Sequence, residues 1–482
     1  MYGPGRLRSS LPINMSNQGR PSAGSPSIYG ARPSIARLAS HNAMNHGMFR
    51  PSKAQIQFLV DAYLDRNLPH TIGGLLHRTE FYSNSSMLPL APPHLRDAVC
   101  ALASVFCGDF GATFSDKFAE QSWNAISSQL QTGDISIVKT LLVLSQVAEV
   151  KHNITWNVFC TKSAVVLSKN LGLDQMPATN EDSWSIARQM SLRVWCAVVT
   201  KFIMMTACIN GREEVDSILP HLDALMPEYV FDRALNQTLV LHDGLPTEIV
   251  PDQVFSSFKQ MYKMATLAKK IVPYLFGLSS QSIKGPGGYA VFTENYIRSF
   301  PVVQAELEIF FKGLPAWIQF CYKAGTRFGG SNYSKDPVSP MGPLLLISFH
   351  CLQAGLCFPA ILLTAKGVNM PVPMSDISRR IVRSSLAVGY FLGHLSQFPH
   401  VKLTLATIPT LLYIAGVCCI GSRCLIPNEC LERPMTAEFN IVTALKEWSS
   451  YMPVAGFYLD LLVKLQSNAD DNAVTSLDVP FG

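Results

Sequence analysis

From about residue 52 onward, apolar residues recur at the three- and four-residue spacing of an α-helix, and alternation of period two is scarce. One helix is predicted over 154–171, with a stripe at steps of four, four, three and four formed by Trp156, Cys160, Ala164, Leu167 and Leu171. Gly172 is expected in the left-handed position that ends this helix, followed by the apolar Leu173. The pattern therefore predicts an all-α fold.

The same spacing, broken by short Pro- and Gly-containing stretches, predicts further helices. They are expected at 93–107, 116–131, 135–150, 183–209, 252–276, 302–323, 342–366, 375–398, 402–421 and 436–465. Between them, residues 279–300 are expected to form a loop. Its glycines around Lys284–Gly288 match a phosphate-binding loop poorly, because no buried strand precedes them and Pro286 occupies the turn.

Composition along the chain predicts three parts. Residues 1–52 are rich in Ser, Pro and Arg and contain no acidic residue, so we expect a disordered tail or linker. Residues 53–466 are expected to form one large multi-helix domain. Residues 467–482, with Asp470, Asp471 and Asp478 among apolar residues, are expected to be a flexible acidic tail, either a frayed end or a short activation segment.

Overall composition excludes several classes of protein. Apolar residues make up 48% and charged residues 15% of the chain, so it is neither disordered as a whole nor a charge-rich coiled coil. The net charge of +5, from 39 basic and 34 acidic residues, is too small for a general nucleic-acid clamp. The 12 cysteines lie mostly in apolar stretches, and the N-terminus has no apolar leader, which indicates a reducing compartment rather than secretion.

Residue patterns that carry chemistry are scarce. Nucleophile-elbow, Walker, metalloprotease and dinucleotide-binding motifs do not occur. The spacings of two histidine pairs, His70/His77 and His394/His400, are not those of a metal site. The densest group of cysteines, Cys418, Cys419, Cys424 and Cys430, lacks the Cys-x-x-Cys spacing of a zinc site. We therefore predict no enzyme and assign no catalytic, cofactor-binding, metal or DNA-binding residue.

Several local patterns occur in the order found in one family. These are Tyr63-Leu64, Leu75–Phe81 (LLHRTEF), Pro93–Ser104 (PHLRDAVCALAS), Thr155-Trp156 with Ala164, Leu167 and Leu171–Leu173, then Glu181, Arg193–Trp195 and Gly211-Arg212. Over about residues 55–230 the chain resembles the regulatory domain, or middle homology region, of fungal zinc-binuclear-cluster transcription factors. It departs from that pattern at Cys196, around Thr200–Phe202 and at Glu213, where the family has Trp, Asp and Pro.

The resemblance implies a nuclear transcription regulator of the fungal transcription factor type, controlling RNA polymerase II genes of a metabolic or secondary-metabolite set. Its expected partners are other transcription factors or the transcription machinery, with a small-molecule effector and a homo- or heterodimeric partner as further candidates. The family's DNA-reading module needs six cysteines around two zinc ions, and the first cysteine here is Cys100, inside a predicted helix. Either the protein lacks this module, or the chain is a fragment of a longer one. We expect no cofactor in this chain, and zinc only in such a missing module.

Two other classes are compatible with long apolar helices. Leu344–Ala365 and Leu403–Ser422 are each about 20 residues without a formal charge, the length that spans a bilayer core, so an integral membrane protein is the main alternative. Within them, His350, Gln353 and Pro409 favour buried helices of a globular bundle instead. An isoprenoid-type enzyme would need clustered aspartates for magnesium, and Asp470-Asp471 is the one doublet.

Overall fold

The chain divides into residues 1–46 and residues 47–482. The computed structural model describes residues of the second unit only, namely 49, 51–67, 75–82, 90–107, 111–130, 133–175, 185–208, 225, 257–277, 288–315, 318, 341–395, 408–422 and 432–471. Most of the expected tail 1–52, and all of 472–482, lie outside these residues. The motif residues Glu181 and Gly211-Arg212 and the departure at Glu213 lie outside them as well.

Within the described residues, 87% are helical and none forms a strand, which confirms the all-α prediction. The thirteen longer helices of this part are α1 (Lys53–Asn67), α2 (Pro93–Phe106), α3 (Gly111–Ile126), α4 (Ile135–Val150), α5 (Ile154–Asn170), α6 (Ile186–Cys208), α7 (Ser257–Gly277), α8 (Gly288–Lys312), α9 (Met341–Ala365), α10 (Met374–Leu395), α11 (Ile408–Ser422), α12 (Glu432–Ser449) and α13 (Pro453–Asp471). A one-turn helix, Arg78–Phe81, lies between α1 and α2.

Local chemistry explains where α4 and α5 begin and where α5 ends. The side chain of Asp134 accepts hydrogen bonds from the backbone N–H groups of Ser136 and Ile137 at the start of α4. Asn153 caps α5 in the same way, through the N–H of Trp156. Gly172 has a φ of +68°, so the left-handed ending predicted for this helix is confirmed.

The helices pack in two neighbouring groups. In the first, α2 lies against α1, α3 and α4, and α4 lies against α5. The second group contains α9 to α13, and α6 with α7 connects the two. Ring contacts of Phe106 with Tyr451 and of His152 with Phe457 bring the start of the last helix back to the first group. The core is therefore continuous along the described chain.

Helices α10 and α12 cross at very short distance. A Cβ added to Gly389 would overlap the backbone of Ala437, and one added to Gly393 would lie 2.9 Å from the amide nitrogen of Asn440. The Asn440 amide donates a hydrogen bond to the Gly389 carbonyl at 3.0 Å. This crossing requires glycine at position 389, because a Cβ there would overlap the Ala437 backbone; at position 393 the nearest atom is the end of the Asn440 side chain, which would have to shift.

Several predicted boundaries are wrong. Residues 288–300 of the expected loop form the first half of α8, and the helix expected over 302–323 ends at Lys312 before Gly313. The helix continues through Pro301, which is exposed, instead of starting at 302 as predicted. The single helix expected over 436–465 is two helices, because Pro453 starts a new one. That last helix reaches Asp471, five residues into the segment expected as a tail.

Candidate functional site

The motif Leu-Leu-His-Arg-Thr-Glu-Phe lies against α4 and contains a buried ion pair. Leu75 and Leu76 are fully buried. The carboxylate of Glu80 accepts a hydrogen bond from Nζ of Lys139 at 2.6 Å and one from the backbone N–H of His77 at 3.0 Å. The Lys139 and Glu80 side chains are only 4% and 6% exposed, so their mutual attraction is poorly screened by water.

A buried phenol lies near this ion pair. Tyr63 of α1 is fully buried, and its hydroxyl has no hydrogen-bond partner among the described residues. Burial, with the nearby charge of Glu80, raises the pKa of Tyr63 far above its ordinary value, so the phenol stays neutral. Because neither Tyr63 nor the ion pair is accessible to a substrate from solvent, we interpret this cluster as structural.

Three aromatic rings meet at the surface between α3 and α5. The ring of Trp123 lies edge-on to the rings of Trp156 and Phe159, with centroid distances of 4.8 Å and 5.5 Å. Trp156 and Phe159 stack with each other at 5.8 Å. The two tryptophans are half-buried and Phe159 is exposed, so large apolar rings face solvent here.

The same surface continues along α5. Lys162, Val166 and Lys169 are exposed at successive turns beyond Phe159, and α5 contains no acidic residue. Apolar and basic side chains therefore alternate on this side of the helix. We call this surface the aromatic face; it consists of Trp123, Trp156, Phe159, Lys162, Val166 and Lys169.

Polar side chains of the apolar helix α9 are paired inside the protein. Gln353 and Gln304 of α8 exchange two amide hydrogen bonds, at 2.7 Å and 3.1 Å. Nδ1 of His350 lies 3.4 Å from the hydroxyl of Ser384. Burial, and the positive charge of Arg383, lower the pKa of His350 to about 3, so this imidazole is neutral at physiological pH.

Two described helices are long and apolar enough to cross a membrane, Ile186–Ala207 and Leu344–Thr364. Within the protein, 78% and 94% of their most apolar windows are buried. Core helices of globular proteins share this length and composition. The second span expected from the sequence is 403–422. Its described part is α11, which begins at Ile408, and residues 403–407 lie outside the described residues.

The cysteines and histidines considered in the sequence form no cluster in the described residues. Cys418 and Cys419 are buried in α11, and burial raises the pKa of the Cys418 thiol well above its usual range, which makes the thiol unreactive. Cys424, Cys430, His70 and His400 lie outside the described residues, and of His394 only the backbone is described. Among the residues that can be assessed, no three His, Cys, Asp or Glu side chains are placed to hold a metal ion.

The glycine segment and the aspartate doublet that the sequence singled out lie at or beyond the ends of helices. The glycine segment 284–287 lies outside the described residues, and Gly288 is the first residue of α8. Asp470 and Asp471 are the last two residues of α13. Among the described residues, none of those that the sequence singled out for chemistry come together in one site.

Sequence reasoning missed the aromatic face. As large apolar residues within predicted helices, Trp156 and Trp195 are expected in the core, and this is confirmed for Trp195, which is buried in α6. For Trp156 it is wrong, because the ring is half-buried against Trp123 at the protein surface. The available signal was Phe159, three residues after Trp156 and off the predicted apolar stripe of α5.

Comparisons of the chain with protein-family models, with curated proteins and with solved structures found no match.

Proposed function

We propose that this chain is a nuclear regulator of RNA polymerase II transcription, related to the fungal transcription factor regulatory domains, and that it acts through protein contacts rather than catalysis. The observation that carries the proposal is the aromatic face. Exposed aromatic rings beside basic side chains are typical of surfaces that bind other proteins. Trp and Tyr rings supply much of the binding energy at such contacts.

The positions of the motif residues add support. Leu75 and Leu76 are core residues, Gly172 ends α5, and Trp195 fills the centre of α6. These described motif residues therefore each have a part in building the helical domain, as expected of a pattern that reflects a shared fold. On this proposal, the partners are transcription factors or components of the transcription machinery, and DNA is reached only through them or through a separate module.

A tethering experiment tests this function. The full chain is fused to an unrelated DNA-binding module in yeast cells, and transcription of a reporter gene is measured. We expect a change of at least about fivefold relative to the module alone, in either direction. The double variant Trp156→Ala/Phe159→Ala is expected to return the reporter to its basal level, because it removes two of the three rings of the aromatic face.

A matched control separates this effect from a general loss of exposed aromatic surface. Phe439 of α12 is more exposed than Phe159 and lies on a different helix, so Phe439→Ala should leave the reporter response unchanged. A tethered chain without any effect on the reporter contradicts the proposed function. An equal loss with Phe439→Ala contradicts the assignment to the aromatic face.

The alternative of an integral membrane protein rests on the apolar segments 344–365 and 403–422; among the described helices α9 is long and apolar enough to span a membrane, and so is α6. Extraction of cell membranes with alkaline carbonate distinguishes the two. A regulator of the proposed kind is recovered in the soluble fraction, and a protein with helical spans stays with the lipid.

A further inference from the structure

The exposed side of α5 carries apolar and basic side chains in turn. Phe159, Lys162, Val166 and Lys169 follow one another at steps of three, four and three, which keeps them on one line of the helix. Phe159 is 43% and Val166 59% exposed. These two apolar side chains lie about two turns, or about 10 Å, apart along the helix axis. The line therefore offers two apolar contacts with a positive charge beside each of them.

Helix α3 runs beside α5 in the same direction and adds no acidic side chain to the basic part of this surface. At one end of the pair, Asp116 of α3 bonds Lys151, just before α5 begins, and further along Trp123 contacts the rings of α5. The exposed acidic residues Asp116 and Glu120 precede Trp123, so they lie toward the start of α5, away from its two lysines. Residues 124–129, which follow, are all uncharged.

The charge on the outer side of α5 is positive, because Lys162 and Lys169 are its charged residues and both are exposed. A segment that fits this surface supplies apolar side chains to Phe159 and Val166 and carboxylates to the two lysines. An amphipathic helix with acidic residues beside its apolar line does both, since its side chains recur at the same steps of three and four. Segments with acidic and apolar residues in alternation are typical of activation regions in transcription regulators.

Two other binding partners fit this surface less well. A second copy of the aromatic face would set lysine against lysine, which is repulsive. Anionic lipid attracts basic and aromatic side chains too. Recognition of such lipids typically uses clusters of about four to eight lysines or arginines, however, and the aromatic face contains only Lys162 and Lys169.

We propose that the aromatic face binds an acidic amphipathic helix of another protein, laid along α5 from Phe159 to Lys169. The inference rests on the proposed function, because it names the partner of the same surface. The carboxylates of the partner pair with Lys162 and Lys169, and its apolar side chains cover Phe159, Val166 and the tryptophan rings. The contact is about 15 Å long, about three turns of helix, so binding is weak and decreases with salt.

Fluorescence anisotropy on the full chain measures this binding. The probe is a labelled synthetic peptide of about 18 residues, with Leu and Phe along one line of the helix and Glu beside it. In the control peptide, Lys replaces every Glu. We expect a Kd of about 10–100 µM for the acidic peptide, and at least about tenfold weaker binding of the basic one. An increase in salt from about 50 mM to about 500 mM should weaken the acidic peptide at least about threefold.

Substitutions locate the contact on the aromatic face. Phe159→Ala and Lys169→Glu should each weaken the acidic peptide at least about fivefold. Matched controls make the same chemical changes elsewhere: Phe439→Ala in α12 and Lys263→Glu in α7, both at exposed positions. These controls should bind as the wild type does. Circular dichroism verifies that all four variants keep their helices.

Several outcomes overturn the proposal. The first is no binding of the acidic peptide, or equal binding of the basic one. The second is an equal loss in the control variants, which would assign the contact to another surface. Co-sedimentation with phosphatidylserine vesicles that is lost in Phe159→Ala would assign the face to a lipid surface. A peptide of this chain's own residues 467–482 that binds more tightly than the designed one would assign it to an intramolecular contact.

The tethering experiment distinguishes failure of this inference from failure of the proposed function. A chain that changes the reporter through Trp156 and Phe159, but does not bind the acidic peptide, contradicts only the partner assigned here. A chain that binds the peptide through these residues, but leaves the reporter unchanged, contradicts the proposed function and supports the binding site.

Discussion

The buried ion pair between Glu80 and Lys139 gives a quantitative prediction. Lys139→Met keeps most of the side-chain length and removes the charge, which leaves the Glu80 carboxylate at 6% exposure with the His77 N–H as its remaining described donor. Breaking a buried pair in this way costs about 3–5 kcal/mol. Because the His77 hydrogen bond still satisfies part of the carboxylate, we expect a value near the lower end, about 3 kcal/mol.

The double variant Glu80→Gln/Lys139→Met removes both charges. The carbonyl oxygen of the new side-chain amide would still accept the His77 hydrogen bond, so we expect the double variant to be about 1–2 kcal/mol less stable than the wild type, and more stable than Lys139→Met alone. The coupling between the two positions is then at least about 1 kcal/mol.

Hydrogen exchange followed by mass spectrometry is the appropriate assay, since it reports the opening free energy of α4 and the Arg78–Phe81 turn separately from the rest of a large chain. Arg298→Met is the matched control, because the ion pair of Arg298 with Glu294 is 74% and 70% exposed and should contribute less than about 0.5 kcal/mol. A change below about 1 kcal/mol in Lys139→Met, or a double variant as unstable as the single one, would refute the reasoning.

Two further predictions concern glycine and histidine. Gly389→Ala should lower the midpoint of urea unfolding, because the new methyl group overlaps Ala437. Gly456→Ala in α13 meets only an ordinary contact at 3.5 Å and should raise the stability by about 0.5–1 kcal/mol. Equal effects of the two substitutions would contradict the role given to Gly389. His350 has a folded pKa of about 3, below the unfolded value of about 6.5, so the unfolded chain binds the extra proton. Its contribution to stability is complete above pH 6.5 and decreases toward pH 3, by at most about 1.4 kcal/mol per pH unit. His350→Phe should therefore make the urea midpoint depend less on pH between pH 7 and pH 4. The same pH dependence in the variant and the wild type would contradict the lowered pKa of His350.

Much of the fold could be predicted from the sequence, because helix signals are local. The apolar stripe of α5 and the glycine that follows it were sufficient to locate this helix, and Gly172 has the expected positive φ. The errors came from proline. The helix start predicted at 302 is wrong because α8 already begins at Gly288 and continues through the exposed Pro301, and Pro453, which starts α13, lies inside one continuous apolar pattern.

The candidate surface was less predictable, because it depends on which helices become neighbours. Nothing near Trp156 in the sequence indicates that Trp123, more than thirty residues earlier, covers one side of its ring. In the same way, Val302 and Ile309 of α8 are exposed because this helix packs through its other side. Periodicity shows which residues share a line on a helix, but the tertiary contacts decide which line is left in water.

The amide pair of Gln304 and Gln353 has a consequence for how α9 is oriented. Because α9 is apolar on every side, hydrophobic burial alone is almost indifferent to its rotation about its own axis. A turn of about 100°, one residue, would leave both amides in the core without their partners, at a cost of about 1–3 kcal/mol for each group. The hydrogen bonds between the two glutamines therefore fix the rotation of α9 about its own axis. They would select this orientation even if they added nothing to the overall stability.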